Sequence, residues 1–282
     1  MRYRKSQITD KEGRPVIKAF FSSVPTGKRV YREHHHAECE LSVMLSGSGT
    51  YTVKNKIYDF SAGDVFFFSG DEEHCITDIH SEFELLNIHF QPRILWADND
   101  DLSLTNILYA RNDKFENKID PQNGTTQIIK NEIINIEREM RNKKSGYKTL
   151  AKYRLFSALA YIIRDFGYID TQKAGRVFNG TTEPLERALN YIDENLNSCL
   201  TLCDIAKYAA MSPTYFSAMF KKLNGISPWE YITIKRIEKA IDLIKTTNLT
   251  KIEIAMRCGF NSSSNFYKAF LHVTGKKPGD YR

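Results

Sequence analysis

Phe216-Ser-Ala-Met-Phe220-Lys-Lys-Leu-Asn-Gly225-Ile-Ser-Pro228-Trp-Glu-Tyr231 returns fifty positions later as Phe266-Tyr-Lys-Ala-Phe270-Leu-His-Val-Thr-Gly275-Lys-Lys-Pro278-Gly-Asp-Tyr281. Upstream of the two copies stand Asp204-Ile205-Ala206 and Glu253-Ile254-Ala255, offset by 49 because the second copy carries one more residue in its turn. Each copy reads as a helix, a tight turn and a second helix. One such pattern is a weak signal, but two in register with the same Phe-x3-Phe-x4-Gly-x2-Pro-x2-Tyr tail are not expected by chance.

Helical spacing sorts the second helix of each copy into two faces. Phe216, Met219, Phe220 and Leu223 must pack inward, as must Phe266, Ala269, Phe270 and Val273. This leaves Thr214, Tyr215, Ser217, Ala218 and Lys221 in the first copy, and Ser263, Ser264, Asn265, Tyr267 and Lys268 in the second. Small hydroxyl and amide groups beside a lysine let a helix lie deep in a DNA major groove. There Asn takes adenine bidentately, Lys reaches guanine or phosphate, and Thr or Ala meets the thymine methyl. Ser212-Pro213 and Ser227-Pro228 each supply an N-cap followed by a proline at the first helical position. The second pair starts a longer helix, with Ile237, Ala240, Ile241 and Ile244 on one side, that joins the copies. Pro184 opens a further helix carrying Leu185, Leu189, Ile192 and Leu196.

The chain has 282 residues, enough for two domains. Its 41% hydrophobic and 26% charged content is that of a soluble globular protein. Residues 184–282 hold 14 Lys/Arg against 9 Asp/Glu, so five of the net +6 charges lie in the repeat-bearing third, the asymmetry expected of a domain that faces a polyanion. No apolar run is long enough to span a bilayer and no signal peptide is evident, so a cytoplasmic location is expected. Five scattered cysteines read as reduced structural thiols.

Residues 16–90 show another pattern: short apolar runs at 16–21, 40–45, 50–53, 64–68 and 82–90, punctuated by Gly47-Ser-Gly49 and Ala62-Gly63-Asp64, as in a small β-sandwich or barrel. Two amphipathic helices follow, with Ile129, Ile133, Ile136 and Met140 on one face and Tyr153, Phe156, Ala160 and Ile163 on the other's. These stripes exceed what one small barrel needs, so a homodimer interface is expected there. The predicted division is residues 1–166 as an effector-sensing and dimerisation domain, 167–183 as linker and 184–282 as an all-α domain.

The C-terminal third resembles the DNA-binding domain of the AraC/XylS family of transcription regulators, on Ala206, Ser212-Pro213, Phe216, Phe220-Lys221-Lys222, Gly225, Tyr231, Arg236, Ala240, Gly259-Phe260, Phe270, Pro278 and Tyr281-Arg282. The resemblance implies two helix-turn-helix units on a linker helix, reading successive major grooves of double-stranded DNA. RNA polymerase is then an expected further partner. Two positions depart from the pattern. Lys277 replaces the usual Ser or Thr before the last proline, so the final helix is expected to fray, and Ala218 is shorter than usual, reducing base readout by the first unit.

Six of the seven histidines lie between residues 34 and 89. His34-x-His36-x3-Glu40-x6-Gly47, followed by Gly63-x5-Ser69-x4-His74, resembles the two cupin motifs, with Ser69 and Asp78 departing from the usual Pro and Asn. Strand alternation puts His34 and His36 on one side, and Glu40 and His74 can converge on them inside a barrel. Imidazoles with a carboxylate suit a divalent metal such as Zn, Fe, Mn or Ni. AraC-like sensor domains keep such remnants without metal as a pocket for a sugar or other small effector, and that reading is preferred. His35, His80 and His89 lack partner spacing and read as surface or core residues, and Phe66-Phe67-Phe68 as core.

The expected architecture is therefore a two-domain α+β chain: a cupin-like β-barrel with two helices, then a double helix-turn-helix domain. The expected function is effector-responsive transcription regulation without catalysis and with no required cofactor. Two rivals are a metal-dependent cupin enzyme fused to a DNA-binding domain and a constitutive DNA-bending protein with a vestigial barrel.

Overall fold

A computed structural model of the chain describes residues 3–9, 15–24, 36–70, 72–96, 102–174 and 183–281. They form two compact units, one carrying all the strands and the other the C-terminal helices.

The first unit contains β1 (Tyr3–Thr9), β2 (Pro15–Val24), β3 (Cys39–Ser46), β4 (Ser48–Val53), β5 (Lys56–Ser61), β6 (Val65–Phe68), β7 (His74–Ile79) and β8 (Phe83–Phe90). A five-stranded sheet has the order β1-β2-β8-β3-β6 and a three-stranded sheet the order β5-β4-β7. Alternation divides β2, β3, β6 and β8 of the larger sheet between two cores. Cys39, Leu41 and Val43 of β3 join a core shared with the helices, whereas Met44 joins Phe66, Phe68, Phe83 and Leu85 against Tyr51, Val53, Phe60 and Ile76 of the smaller sheet. The Phe66-Phe67-Phe68 run is apolar throughout because β6 is covered on both faces, with Phe67 toward the helices.

Three strands carry no clear signal in the sequence. β1 fully buries only Ile8 among its described side chains and β5 only Phe60, and the second half of β7 is largely exposed. Strands at sheet edges bury little, so their apolar alternation fades.

Three helices follow: α1 (Asn106–Tyr109), α2 (Thr125–Asn142) and α3 (Tyr147–Asp165). The predicted stripe of α2 is real but already occupied: Ile129, Ile133, Ile136 and Met140 are buried in the unit's own core with Ile17, Leu41 and Ile88. It is therefore not free for a second subunit, contrary to expectation. On α3 the core face is Ala151, Leu155, Ala158, Leu159 and Ile162. Of the stripe read from sequence, Tyr153 (64% exposed) and Ala160 face outward, whereas Phe156 and Ile163 are half-buried and pack against the edge of the same core. The helix has two apolar stripes, and periodicity alone does not say which meets the sheet.

The start of the expected linker is also packed. Tyr168 is 6% exposed, its carbonyl accepts from the Asn112 amide at 2.9 Å, and Ile169 bridges Arg111. Gly175 and Gly180 lie outside the described residues.

The second unit contains α4 (Glu183–Glu194), α5 (Leu202–Tyr208), α6 (Pro213–Asn224), α7 (Pro228–Thr246), α8 (Lys251–Arg257) and α9 (Ser263–Thr274). Its helix starts are written in capping side chains: Thr201, Ser212, Ser227, Thr250 and Ser262 each accept from the backbone amide three residues on. Thr250 and Glu253 complete a reciprocal capping box. Lys277 has no such oxygen to offer, and the last segment, Pro278–Tyr281, is a single 3-10 turn. Asp280 compensates by accepting from the Lys277 amide at 3.1 Å.

Both helix-turn-helix turns close the same way. The Met211 amide donates to the Ala206 carbonyl and the Phe260 amide to the Ala255 carbonyl, each at 3.0 Å. The residue before each donor is left-handed, Ala210 at φ 51 and Gly259 at φ 81. A side chain at Gly259 would strike the Leu196 carbonyl and the Arg236 guanidinium, so this turn needs glycine for space as well as for conformation.

Candidate functional site: recognition helices and barrel interior

The two second helices present the faces expected of them. Phe216, Phe220 and Leu223 of α6 and Phe266, Phe270 and Val273 of α9 are buried, as is Met219. Thr214, Tyr215, Ala218 and Lys221 are exposed with Ser217 half-buried; Ser264, Asn265, Tyr267 and Lys268 are exposed with Ser263 half-buried. Leu271 and His272, one turn further along α9, are exposed too, although the tail motif drew attention only to its buried residues. Hydrogen bonds cross-brace the frame behind these faces. From α7, Arg236 donates to the carbonyls of Leu196 and Ser198, each at 2.8 Å, and the Tyr231 hydroxyl donates to Asp193 at 2.9 Å. These bonds tie the linker helix to α4 and the turn after it.

A polar row lies on the inner face of the five-stranded sheet. The register sets Lys18 of β2 beside His89 of β8, His89 beside Glu40 of β3, and Glu40 beside Phe68 of β6. The next row is Phe20, Asn87, Ser42 and Phe66. Glu40 is 1% exposed and must be compensated. Its carboxylate accepts from the Ser42 hydroxyl at 2.5 Å and lies 3.0 Å from His89 Nε2 and 3.4 Å from His74 Nε2. Glu38 extends the network, 2.6 Å from Lys18 Nζ and 3.6 Å from His89 Nδ1. Burial opposes a charge on His89, but Glu40 and Glu38 outweigh it and push its pKa up to about 9. Burial, reinforced by Glu40, holds the Tyr51 phenol well above its ordinary range.

His74 is buried as expected, stacked on Phe68 at 4.2 Å with Nδ1 donating to the Glu72 carbonyl at 2.8 Å. The bond fixes the ring so that Nε2 faces Glu40. His36 is half-buried ahead of β3, and His34 and His35 lie outside the described residues. His80 is exposed, 3.6 Å from Asp78. His89 is the functional candidate that sequence reading misses: it faces Glu40 only through the β3–β8 register, which no local spacing encodes. One ligand atom from each of His36, Glu40 and His89 lies within 4.8 Å of the others, so among the described residues the group spaced for a divalent metal includes His89 in place of the motif's His74. The Ser69 departure has a structural reason. Its amide and hydroxyl donate to Glu72 at 2.7 and 3.0 Å, and Arg111 pairs with the same carboxylate at 3.0 Å. Burial raises the Glu72 pKa, but Arg111 and the Ser69 amide lower it further.

Asn87 stands out within the second row. Its side-chain oxygen is buried and accepts no hydrogen bond among the described residues. A buried, unsatisfied amide oxygen costs free energy that a donor on a bound molecule recovers.

Residues 205–282 match the helix-turn-helix domain family, and residues 24–126 match the AraC-like ligand binding domain family. The chain belongs to the AraC/XylS family. The melibiose operon regulatory protein of Escherichia coli K12 is 23% identical over 257 residues, covering 88% of this chain and 82% of that protein. The transcriptional activator RhaR of Enterobacter sp. strain 638 is 24% identical over 260 residues, covering 90% and 88%. ToxT from Vibrio cholerae shares the fold, with a TM-score of 0.60 at 14% identity over 94% of this chain and 97% of that one. A form of ToxT with bound unsaturated fatty acid gives 0.56 over 100% and 96%. The AraC/XylS chain described here is thus a DNA-binding transcription regulator with a ligand-binding domain, not an enzyme. No helix among the described residues is long and apolar enough to cross a membrane.

Proposed function

We propose that this regulator acts in the cytoplasm and switches transcription in response to a small polyhydroxyl effector, a sugar being the leading class. The effector binds the inner face of the sheet at His36, Glu40, His74, His89 and Asn87, with His34 as a further contact. The observation that carries this reading is the buried Asn87 oxygen beside a row of charged and hydrogen-bonding groups. A hydroxyl-bearing molecule offers both donors and acceptors to such a wall, whereas an acyl chain like that named for ToxT would strand it. One relative is named for the disaccharide melibiose, which favours the same class.

On the DNA side, Thr214, Tyr215, Ser217, Ala218 and Lys221 form one reading face and Ser263, Ser264, Asn265, Tyr267 and Lys268 the other. The outer stripe of α3, with exposed Tyr153 and half-buried Phe156, is the homodimer contact, and RNA polymerase is the protein partner at the promoter. The test is operator binding by the full chain across a panel of sugars. Asn87→Leu and Glu40→Gln should abolish the response while leaving effector-free operator affinity within about twofold. A response unchanged in both variants would remove the effector from the barrel.

A second reading rests on the spacing of His36, Glu40 and His89. Two imidazoles and a carboxylate would hold a divalent transition metal, and the metal would offer open positions to effector oxygens. Glu38, beside His89 Nδ1, is placed to orient that ring. Elemental analysis of the purified protein decides between the readings, and stoichiometric metal retained through dialysis selects this one.

A further inference from the structure

The outer face of the same sheet holds a cavity that the barrel interior does not explain. Along the β1–β2 register Ile8 faces Ile17, Ser6 faces Ala19 and Arg4 faces Phe21. The isoleucine pair joins the core beneath α2. Ser6 and Ala19 are too small to fill the space beside the last turn of α2, and a groove of about 650 Å³ opens there with Phe21 and Met140 as its apolar wall. That volume is within the range of small-molecule sites. Alternation sets it on the other side of β2 from Lys18 and Phe20, so it is separate from the polar row.

Its charges are unbalanced. Arg4, Arg141 and Lys143 line the groove against a single carboxylate, Glu137, while Lys5 at its edge turns its ammonium to the other face of the sheet, over the Phe20 ring at 5.5 Å. Arg4 and Arg141 both approach the same Glu137 oxygen, at 3.8 and 3.9 Å, beyond hydrogen-bond range. Among the described residues neither guanidinium donates a hydrogen bond, and Arg4 instead lies over the Phe21 ring at 4.6 Å. Basic residues at the end of α2 do favour the helix's terminal carbonyls. That role uses the charge of Arg141 and leaves its donors unspent. The groove is rich in donors, poor in acceptors and apolar on one wall.

We propose that this groove binds a small organic phosphate, with the phosphoryl oxygens between Arg4 and Arg141 and the apolar portion against Phe21 and Met140. A phosphate monoester suits it better than a carboxylate. Three cations face one anion, a monoester brings nearly two negative charges at neutral pH, and its three terminal oxygens accept from both guanidiniums at once.

Calorimetric titration of the full chain at low salt tests this with phenyl phosphate, and with inorganic phosphate and phenol as separate arms. The expected result is saturable phenyl phosphate binding with Kd below about 1 mM. Inorganic phosphate should bind more weakly and phenol not at all. Arg4→Gln and Arg141→Gln should each weaken phenyl phosphate at least about tenfold, and Arg141→Lys, which keeps charge but loses the fork, should fall between. Both arginines are about half exposed, at 52% and 49%, so thermal melting of the variants should match the parent. The basic reading helices could bind phosphate independently, and the arginine variants separate the two sources. Equal affinity in parent and variants, or equal affinity for inorganic and phenyl phosphate in the parent, would overturn the proposal. Neither outcome bears on the sugar reading, which is measured by operator binding.

Discussion

His89 and Glu40 meet across neighbouring strands with Nε2 3.0 Å from Oε2, although 49 residues separate them in the chain. The pair should make the stability of this domain depend on pH. The His89 pKa is about 9 in the folded chain against 6.5 as its ordinary value, so its stabilising contribution is complete below about pH 6.5 and is lost as pH rises through 9. Thermal melting of the parent from pH 6 to 9.5 should show this decline. His89→Gln should be destabilised by about 3 kcal/mol at pH 6, because Glu40 loses its partner, and should show a shallower decline. Parallel curves for parent and variant would contradict the assignment.

Glu40 itself should be more sensitive to loss of shape than to loss of charge. Glu40→Gln keeps an acceptor for the Ser42 hydroxyl, whereas Glu40→Ala leaves His89, His74 and Ser42 facing a cavity. The alanine variant should lose about 2 kcal/mol more than the glutamine variant in urea unfolding.

The two turns predict opposite outcomes for opposite substitutions. Ala210 occupies the left-handed region at φ 51, where a side chain costs about 1–2 kcal/mol, so Ala210→Gly should stabilise the chain by about 0.5–1 kcal/mol after the entropy of glycine is counted. Gly259→Ala should cost at least about 2 kcal/mol, because strain adds to the collision with Leu196 and Arg236. Denaturant midpoints of the two variants measure both.

On DNA, the second helix-turn-helix motif should carry at least half of the discrimination. Asn265→Ala and Lys268→Ala should each cost about 1–3 kcal/mol on the matched operator and relax preference at one or two base pairs. Lys221→Ala should act as a lost phosphate contact, reducing the salt dependence without altering preference. Titrations against matched and scrambled operators at two salt concentrations distinguish these roles. Equal losses on both DNAs for Asn265→Ala and Lys268→Ala would make those residues backbone contacts.

With the α2 stripe spent on its own core, the proposed homodimer contact falls to the outer side of α3. Tyr153 is 64% exposed, so Tyr153→Glu should leave the far-UV circular dichroism unchanged while converting a dimer to monomer in light scattering at micromolar concentration. A parent that is monomeric with effector and operator present would remove the interface altogether.

The sequence by itself determined what is local. The Phe-x3-Phe repeat, the Ser and Thr caps and the glycine turns of the C-terminal unit are legible because helices pair residues three and four apart, and caps act within one turn. The existence of α2 and α3 was legible for the same reason. Tertiary structure decided everything that depends on which strands become neighbours. β1 and β5 escaped notice because edge strands need few apolar residues, and the face α3 turns inward depended on the sheet it met. The pairing of β8 with both β2 and β3 placed His89 between Lys18 and Glu40, moving the polar centre away from the motif that first suggested it. Register is a property of two strands at once, and a single stretch of sequence holds only one of them.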